Sequence, residues 1–263
     1  MSRLGQPLVA THHGAAAQHL LTPLGAPARG RVLEVFSSGS YVEFTNVVLA
    51  VGMIPPGPIH VVTSDAQFRG PEVETFVSID LSGSSPWSPP PPTANERAAL
   101  RAACEAVDID ALIDDDLHDV WGEVKHVCHV EHSCDGACPQ TGVLGPVPME
   151  KVVQLLQGRG SGLTPSGDDV VAGLMLANAW NRPSSSASNA RVRLAEQMRT
   201  TNLSKSFLHW AARGQSIAPV HDLLGAATSL DGQRFTESVE SLCSIGATSG
   251  RALLAGLVLG LGV

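Results

Sequence analysis

A chain of 263 residues and 27.4 kDa, 43% hydrophobic and 16% charged, can bury a full core as one large domain or two smaller ones, which excludes disorder as its main state. Its 25 acidic against 17 basic residues leave a formal charge of -8, with no basic stripe to hold a phosphate backbone, so nucleic acid is excluded as a partner. The longest apolar run, Leu253–Leu261, is short of the roughly 20 residues of a membrane span, the first residues show no leader pattern, and five cysteines make no even disulfide ladder, so a soluble cytoplasmic protein with no membrane partner is expected.

Residues before 27 carry His12, His13 and the run Ala15–Ala17, which read as a short helix. From Arg31 to Ser64 the apolar residues fall in short runs, among them Val47–Val51 and Ile59–Val62, separated by Ser-Gly-Ser, Asn and Pro-Pro-Gly-Pro. Phe76–Leu81 continues that rhythm, which belongs to strands and turns, so residues from about 27 to about 82 should form a small, mostly antiparallel sheet or partly closed barrel. Ser82–Pro92 ends in consecutive prolines; without their N–H donors it should run as an extended spacer, closing a first domain at residues 1–92.

Thr93-Ala-Asn-Glu96 reads as a capping box opening a helix through Leu100 and Cys104, and with it an all-helical second domain, residues 93–263. Apolar spacing predicts further helices over Pro148–Gln157, Ser166–Trp180, Ala190–Thr200, Leu203–Arg213, Ile217–Ala227, Phe235–Ile245 and Ser249–Leu261, with Arg182–Ser188 as a flexible surface loop. Aromatic residues are only 4% of the chain, so these helices should pack closely through small side chains, with Trp87, Trp121, Trp180 and Trp210 as core anchors. The expected class is α+β, a small N-terminal antiparallel sheet or partly closed barrel followed by a C-terminal helical bundle.

The most informative segment is Gly158-Arg-Gly-Ser-Gly-Leu-Thr-Pro-Ser-Gly-Asp-Asp169, which joins one predicted helix to the next. Its glycines allow positive φ and close approach to the backbone, and the free N–H groups of the following helix form an anion site. No Gly-Lys-Ser/Thr follows, a helix rather than a strand precedes it, and Pro165-Ser166-Gly167 is no nucleophile elbow, so neither a nucleotide loop nor a serine hydrolase is indicated. One reading is structural: Ser166 and Asp169 form a reciprocal cap, and Asp168 is solvated. The functional reading assigns Asp168, Asp169 and Ser166 to catalysis and Gly160, Ser161, Gly162, Thr164 and Gly167 to a small anionic carboxylate, amide or phosphate, with one aspartate orienting an amide N–H₂ or holding a divalent cation such as Mg²⁺. Thr201 and Ser204 crowd a second helix junction, and Thr248 and Ser249 a third. Each can be an ordinary cap, or all three junctions can converge at one end of the bundle, where Lys205 and Arg251 would add positive charge.

Gly162–Asp169 with Val170-Val-Ala-Gly173, then Thr200-Thr-Asn-Leu-Ser204, then Ile245-Gly-Ala-Thr-Ser-Gly250 ahead of Leu254-Ala-Gly256 closely resemble the AllH-like family. That family includes a subunit of bacterial oxamate carbamoyltransferase. The resemblance covers most of the helical half and, more loosely, the strand region. It implies participation in carbamoyl transfer between oxamate and carbamoyl phosphate, beside partner subunits or in a homo-oligomer. The chain departs from the family pattern where a histidine is often found, at Ala247, and where an acid is, at Arg251.

A second cluster reads His126-Val-Cys128-His129-Val-Glu-His132-Ser-Cys134-Asp-Gly-Ala-Cys138. Cys128, His132, Cys134 and Cys138 are a candidate tetrahedral Zn²⁺ set, with His126 and His129 as substitutes, against a loop of reduced thiols. Asp114-Asp-Asp116 and Asp119 read as a hydrated face. Three functions therefore compete: a carbamoyl- or carboxamide-handling transferase component, a zinc-dependent hydrolase or lyase using the Cys/His cluster, and a non-catalytic binding subunit of a larger enzyme.

Overall fold

A computed structural model describes residues 7–21, 27–45, 47–64, 72–130, 148–229 and 231–262. They fall into two compact units divided between Pro90 and Pro91, the first also taking Gln215–Ala218.

The first unit holds strands β1 (Leu8–Gly14), β2 (Ala28–Phe36), β3 (Gly39–Phe44), β4 (Val47–Gly52), β5 (His60–Thr63), β6 (Phe76–Asp80) and β7 (Ser85–Trp87), with one helix, α1 (Ala15–Leu21). They pair in the order β5-β4-β3-β2-β6-β1-β7, and β5 also pairs with β1. Six strands thus close into a barrel, which leaves those strands no open edge, and β7 is added along the second half of β1. Alternation sets the lining: Ser40, Val42 and Phe44 of β3 are buried while Tyr41 and Glu43 between them are not. Gly30 leaves the room these need, since a Cβ there would strike Val42 and the Phe44 ring.

The sheet is mostly antiparallel as expected, with β1–β6, β1–β7 and β4–β5 as parallel pairs. Two expectations differ from the fold. His12 and His13 lie in β1 and not on a helix, their backbones in register with Val62 and Val61 of β5. Ser85–Trp87 is laddered to β1, with Pro86 opposite His13; a proline is tolerated there because β7 lies outside the closed ring.

The second unit is helical: α2 (Ala94–Cys104), α3 (His118–Val130), α4 (Met149–Leu156), α5 (Ser166–Asn181), α6 (Ser185–Gln197), α7 (Asn202–Ala211), α8 (Ala218–Thr228), α9 (Gly232–Cys243) and α10 (Ser249–Leu261), with single 3-10 turns at Asp110–Leu112 and Asp115–Leu117. The capping box forms as read, Thr93 Oγ1 accepting the Glu96 N–H at 3.2 Å and Glu96 Oε2 the Thr93 N–H at 2.7 Å. The serine-rich segment is shorter as a loop than expected: Ser184 Oγ caps α6, so Ser185–Ser188 are already helical. Trp121 and Trp180 are buried, whereas Trp87 and Trp210 are half-buried.

Helix α5 is the axis of this unit, buried without a break from Ser166 to Ala177. Contacts Ser166–Thr248, Val170–Gly256 and Leu174–Gly260 advance together, so α5 and α10 run parallel. They touch backbone to backbone: a Cβ on Gly173 would overlap the Leu253 carbonyl, and one on Gly256 the Val170 carbonyl. Small residues at these positions are what bring both helix starts to one place. Among the described residues no helix is long and apolar enough to cross a membrane.

Candidate functional site

The glycine-rich turn begins where α4 ends. Gly158, Gly160 and Gly162 all have positive φ, a backbone state costly for residues with a Cβ. Gly160 is doubly constrained, since a Cβ would also come within 2.7 Å of the Ser166 amide. The turn then folds back so that the Gly167 N–H donates to Arg159 O at 2.9 Å. Pro165 precedes the first helical residue, and no side chain caps α5. The reciprocal Ser166–Asp169 cap is therefore absent, and the Ser166 side chain is turned to other partners.

Those partners come from the other helix starts. Asp168 Oδ1 accepts the Gly158 N–H at 2.8 Å, and its Oδ2 accepts the Thr200 hydroxyl. The Ser166 hydroxyl donates to Asp114 Oδ2 and lies 3.0 Å from Thr248 Oγ1. Thr164 Oγ1 is 3.0 Å from Ser249 Oγ. Thr201 caps α7, accepting the Ser204 N–H at 3.0 Å, while its own hydroxyl donates to Leu163 O at 2.5 Å. All three junctions thus meet at the start of α5. Ser204 Oγ is buried and, although near enough to favour the Asp168 charge, completes no hydrogen bond among the described residues.

The acidic run read as a hydrated face is part of this assembly. Asp114 holds Ser166, Asp116 Oδ2 accepts the Ser161 N–H at 3.2 Å, and Asp119 pairs with Arg159 at 3.1 Å. Each of these acids grips a different residue of the turn. Acids placed around the 3-10 turns were the available signal, but nothing in their spacing names residues 40 or more positions away.

Burial dominates the electrostatics. It raises the Asp168 carboxyl above the ordinary range, against the pull of the Gly158 amide and the Thr200 and Ser204 hydroxyls. It pushes Asp169 well above that range; the Ser249 hydroxyl opposes the shift, and the nearby Asp168 and Asp114 add to it. Asp169 is therefore neutral over part of the range in which ordinary carboxylates are charged, and its Oδ2 is buried without a hydrogen-bond partner among the described residues. Among the described residues no Lys or Arg bonds to Asp114, Asp168 or Asp169; Arg251 instead donates to Ala111 O at 2.8 Å. Ala247 is exposed.

Several amides expected to be free are already used: Gly158 by Asp168, Ser161 by Asp116, Gly167 by Arg159 O, and Asp168 and Asp169 by Pro165 O. The N–H groups of Gly160, Gly162, Leu163 and Thr164 have no partner among the described residues. The arrangement offers donors on the turn, and acceptors with a protonated acid at the helix starts. That pairing suits a small molecule with a carboxylate or oxyanion at one end and an amide at the other.

Of the candidate zinc set, His132, Cys134 and Cys138 lie outside the described residues. Cys128 is buried in α3, where burial pushes its thiol up to about 11 and keeps it protonated. Among the described residues no group of His, Cys, Asp and Glu is gathered to hold a metal ion, whether Zn²⁺ or Mg²⁺.

The family model described as oxamate carbamoyltransferase subunit AllH matches residues 156–261. This stretch is AllH-like, as the motifs suggested, and it carries the turn and all three helix starts. No solved structure matches the chain.

Proposed function

We propose, taking the AllH-like stretch as premise, that this chain is a component of a carbamoyl- or carboxamide-handling transferase acting on a small anionic substrate such as oxamate or carbamoyl phosphate, in the cytoplasm and beside partner subunits. The observation that carries the reading is the meeting of Asp168, Asp169, Ser166, Thr200, Thr248 and Ser249 at one end of parallel helices, all inside the matched residues. A neutral carboxylic acid presents one donor and one acceptor, the complement of a carboxamide's C=O and N–H. Asp169 takes that role, because its O–H can also stabilise negative charge gathering on the carbonyl oxygen. Asp168, held by Gly158 and Thr200, fixes the turn against α5 and α7, and the Ser166 hydroxyl carries the link from Asp114 to Thr248. The open amides from Gly160 to Thr164 take the substrate's carboxylate or phosphate.

Thermal shift with oxamate and with carbamoyl phosphate tests the reading. Wild type is expected to be stabilised by at least one of them, and Asp168→Asn and Asp169→Asn less so. No shift in wild type, or equal shifts in all three proteins, refutes it. The number of turn amides already spent inside the chain favours one second reading, a non-catalytic subunit whose turn only shapes a docking face. Co-expression with partner subunits separates the two: activity that survives loss of both aspartates supports the second.

A further inference from the structure

Two buried carboxyl oxygens at this site have no hydrogen-bond partner among the described residues, Asp169 Oδ2 and Asp114 Oδ1. They come from different segments, Asp169 from α5 and Asp114 from the stretch between the two 3-10 turns, outside the family-matched residues. Asp169 is only 9% exposed, and Asp114 is close enough to repel its charge. The direction of Asp114 is fixed, because its other oxygen takes the Ser166 hydroxyl, which in turn meets Thr248. Acceptors left dry are costly, and such a cost persists where a ligand supplies the missing donor. The neighbouring hydroxyls of Ser166, Thr164 and Ser249 are engaged with other partners. An ammonium group would bring more N–H groups than these two oxygens can accept; a primary amide nitrogen brings two, one for each oxygen.

We infer that Asp114 is a specificity-determining residue whose Oδ1, together with Asp169 Oδ2, forms a two-acceptor seat for the NH₂ of a primary carboxamide. The inference rests on the proposed function and deepens it, since it names the end of the substrate that the acids read.

Oxamate and pyruvate differ by NH₂ against a methyl group of similar size, so their ratio isolates the seat. Titration calorimetry on the full chain is expected to give wild type at least ~10-fold tighter binding of oxamate, a floor well below the largest rejection that a site built for an N–H achieves against an analogue without one. Asp114→Ala is expected to bring that ratio close to one. Asp114→Asn should restore part of it, because the amide can face its NH₂ to Ser166 and its oxygen to the seat. Wild type binding both compounds equally overturns the seat while leaving the proposed function standing, and this result needs no variant to fold. A ratio unchanged in a folded Asp114→Ala protein overturns the role of Asp114, and displacement of oxamate by ammonium ions overturns the assignment to an amide. If wild type binds neither compound, the proposed function itself falls and takes the seat with it.

Discussion

The crossing of α5 and α10 makes a prediction with a definite sign. Alanine at Gly256 would ordinarily favour a helix, by about 1 kcal/mol relative to glycine. At this position the new Cβ overlaps the Val170 carbonyl, so that oxygen must recede by more than an ångström before the separation reaches the 3.0 Å below which Cβ atoms are essentially never found. The obstacle is backbone and cannot turn aside as a side chain would. Forcing such a contact costs about 1–3 kcal/mol when side chains alone must give and more when a helix must move, which outweighs the propensity gain. Gly256→Ala is therefore expected to lose about 1–3 kcal/mol net, or several degrees in the melting temperature at ~2–4 °C per kcal/mol. Gly225→Ala in α8 is the matched control: nothing lies within 4 Å of its Cβ, so only the propensity remains and stability should rise by up to about 1 kcal/mol. Urea unfolding followed by circular dichroism reads both. Equal effects of the two substitutions, or a stabilised Gly256→Ala, would refute backbone contact between the helices.

Other expectations concern the acids and the thiols. Asp168→Ala strands the Gly158 N–H and the Thr200 hydroxyl and should cost about 1–3 kcal/mol, whereas Asp168→Asn should cost less, because its oxygen can keep Gly158 while the Thr200 hydroxyl turns to accept; urea midpoints that rank the two the other way would contradict the assigned bonds. Asp169 holds its proton to higher pH when folded than when unfolded, so folding takes up a proton between the two values and stability falls as pH rises through that window. The stability of Asp169→Asn relative to wild type should accordingly grow as pH rises above the ordinary carboxylate value of about 4, and a flat difference would show that Asp169 is not buried in an uncharged form. Burial pushes Cys104 up to about 12 and Cys128 to about 11, while Cys243 is half-buried. Alkylation at mild alkaline pH with peptide mapping should label Cys243 well before the other two, and early labelling of Cys128 would argue for an opened α3.

The helical half was readable because its signals are local. Thr93 and Glu96 close their box within one turn, and α10 begins and ends at the residues its apolar run marks. The scarcity of aromatics already implied close helix contact, and Gly173 and Gly256 deliver it. What escaped was set by distant partners. Closure of the barrel depends on the register of β1 with β5, more than 45 residues apart, which no run of valines encodes. His13 sits in a strand with its Nδ1 2.7 Å from Ser84 Oγ, and its neighbours in sequence, alanines, gave no hint of it. At the site, the three Ser/Thr-rich junctions were recognisable as a set, yet a cap remained open for Ser166 because its partner, Asp114, lies 52 positions earlier. An acidic run is usually hydrated, and Asp116 and Asp119 do stay exposed; only the folded chain shows that they also bond to the turn and that Asp114 reaches Ser166.

Parallel helices in contact bring like poles together, so α5 and α10 repel one another electrostatically at the very end where Ser166 meets Thr248 and Thr164 meets Ser249. The Asp114 and Asp168 carboxyl oxygens, which accept hydrogen bonds at that end, offset the repulsion. An incoming anion therefore meets poles whose attraction is partly spent, and a neutral or proton-bearing group can enter without displacing the acceptors that let the two helices lie side by side.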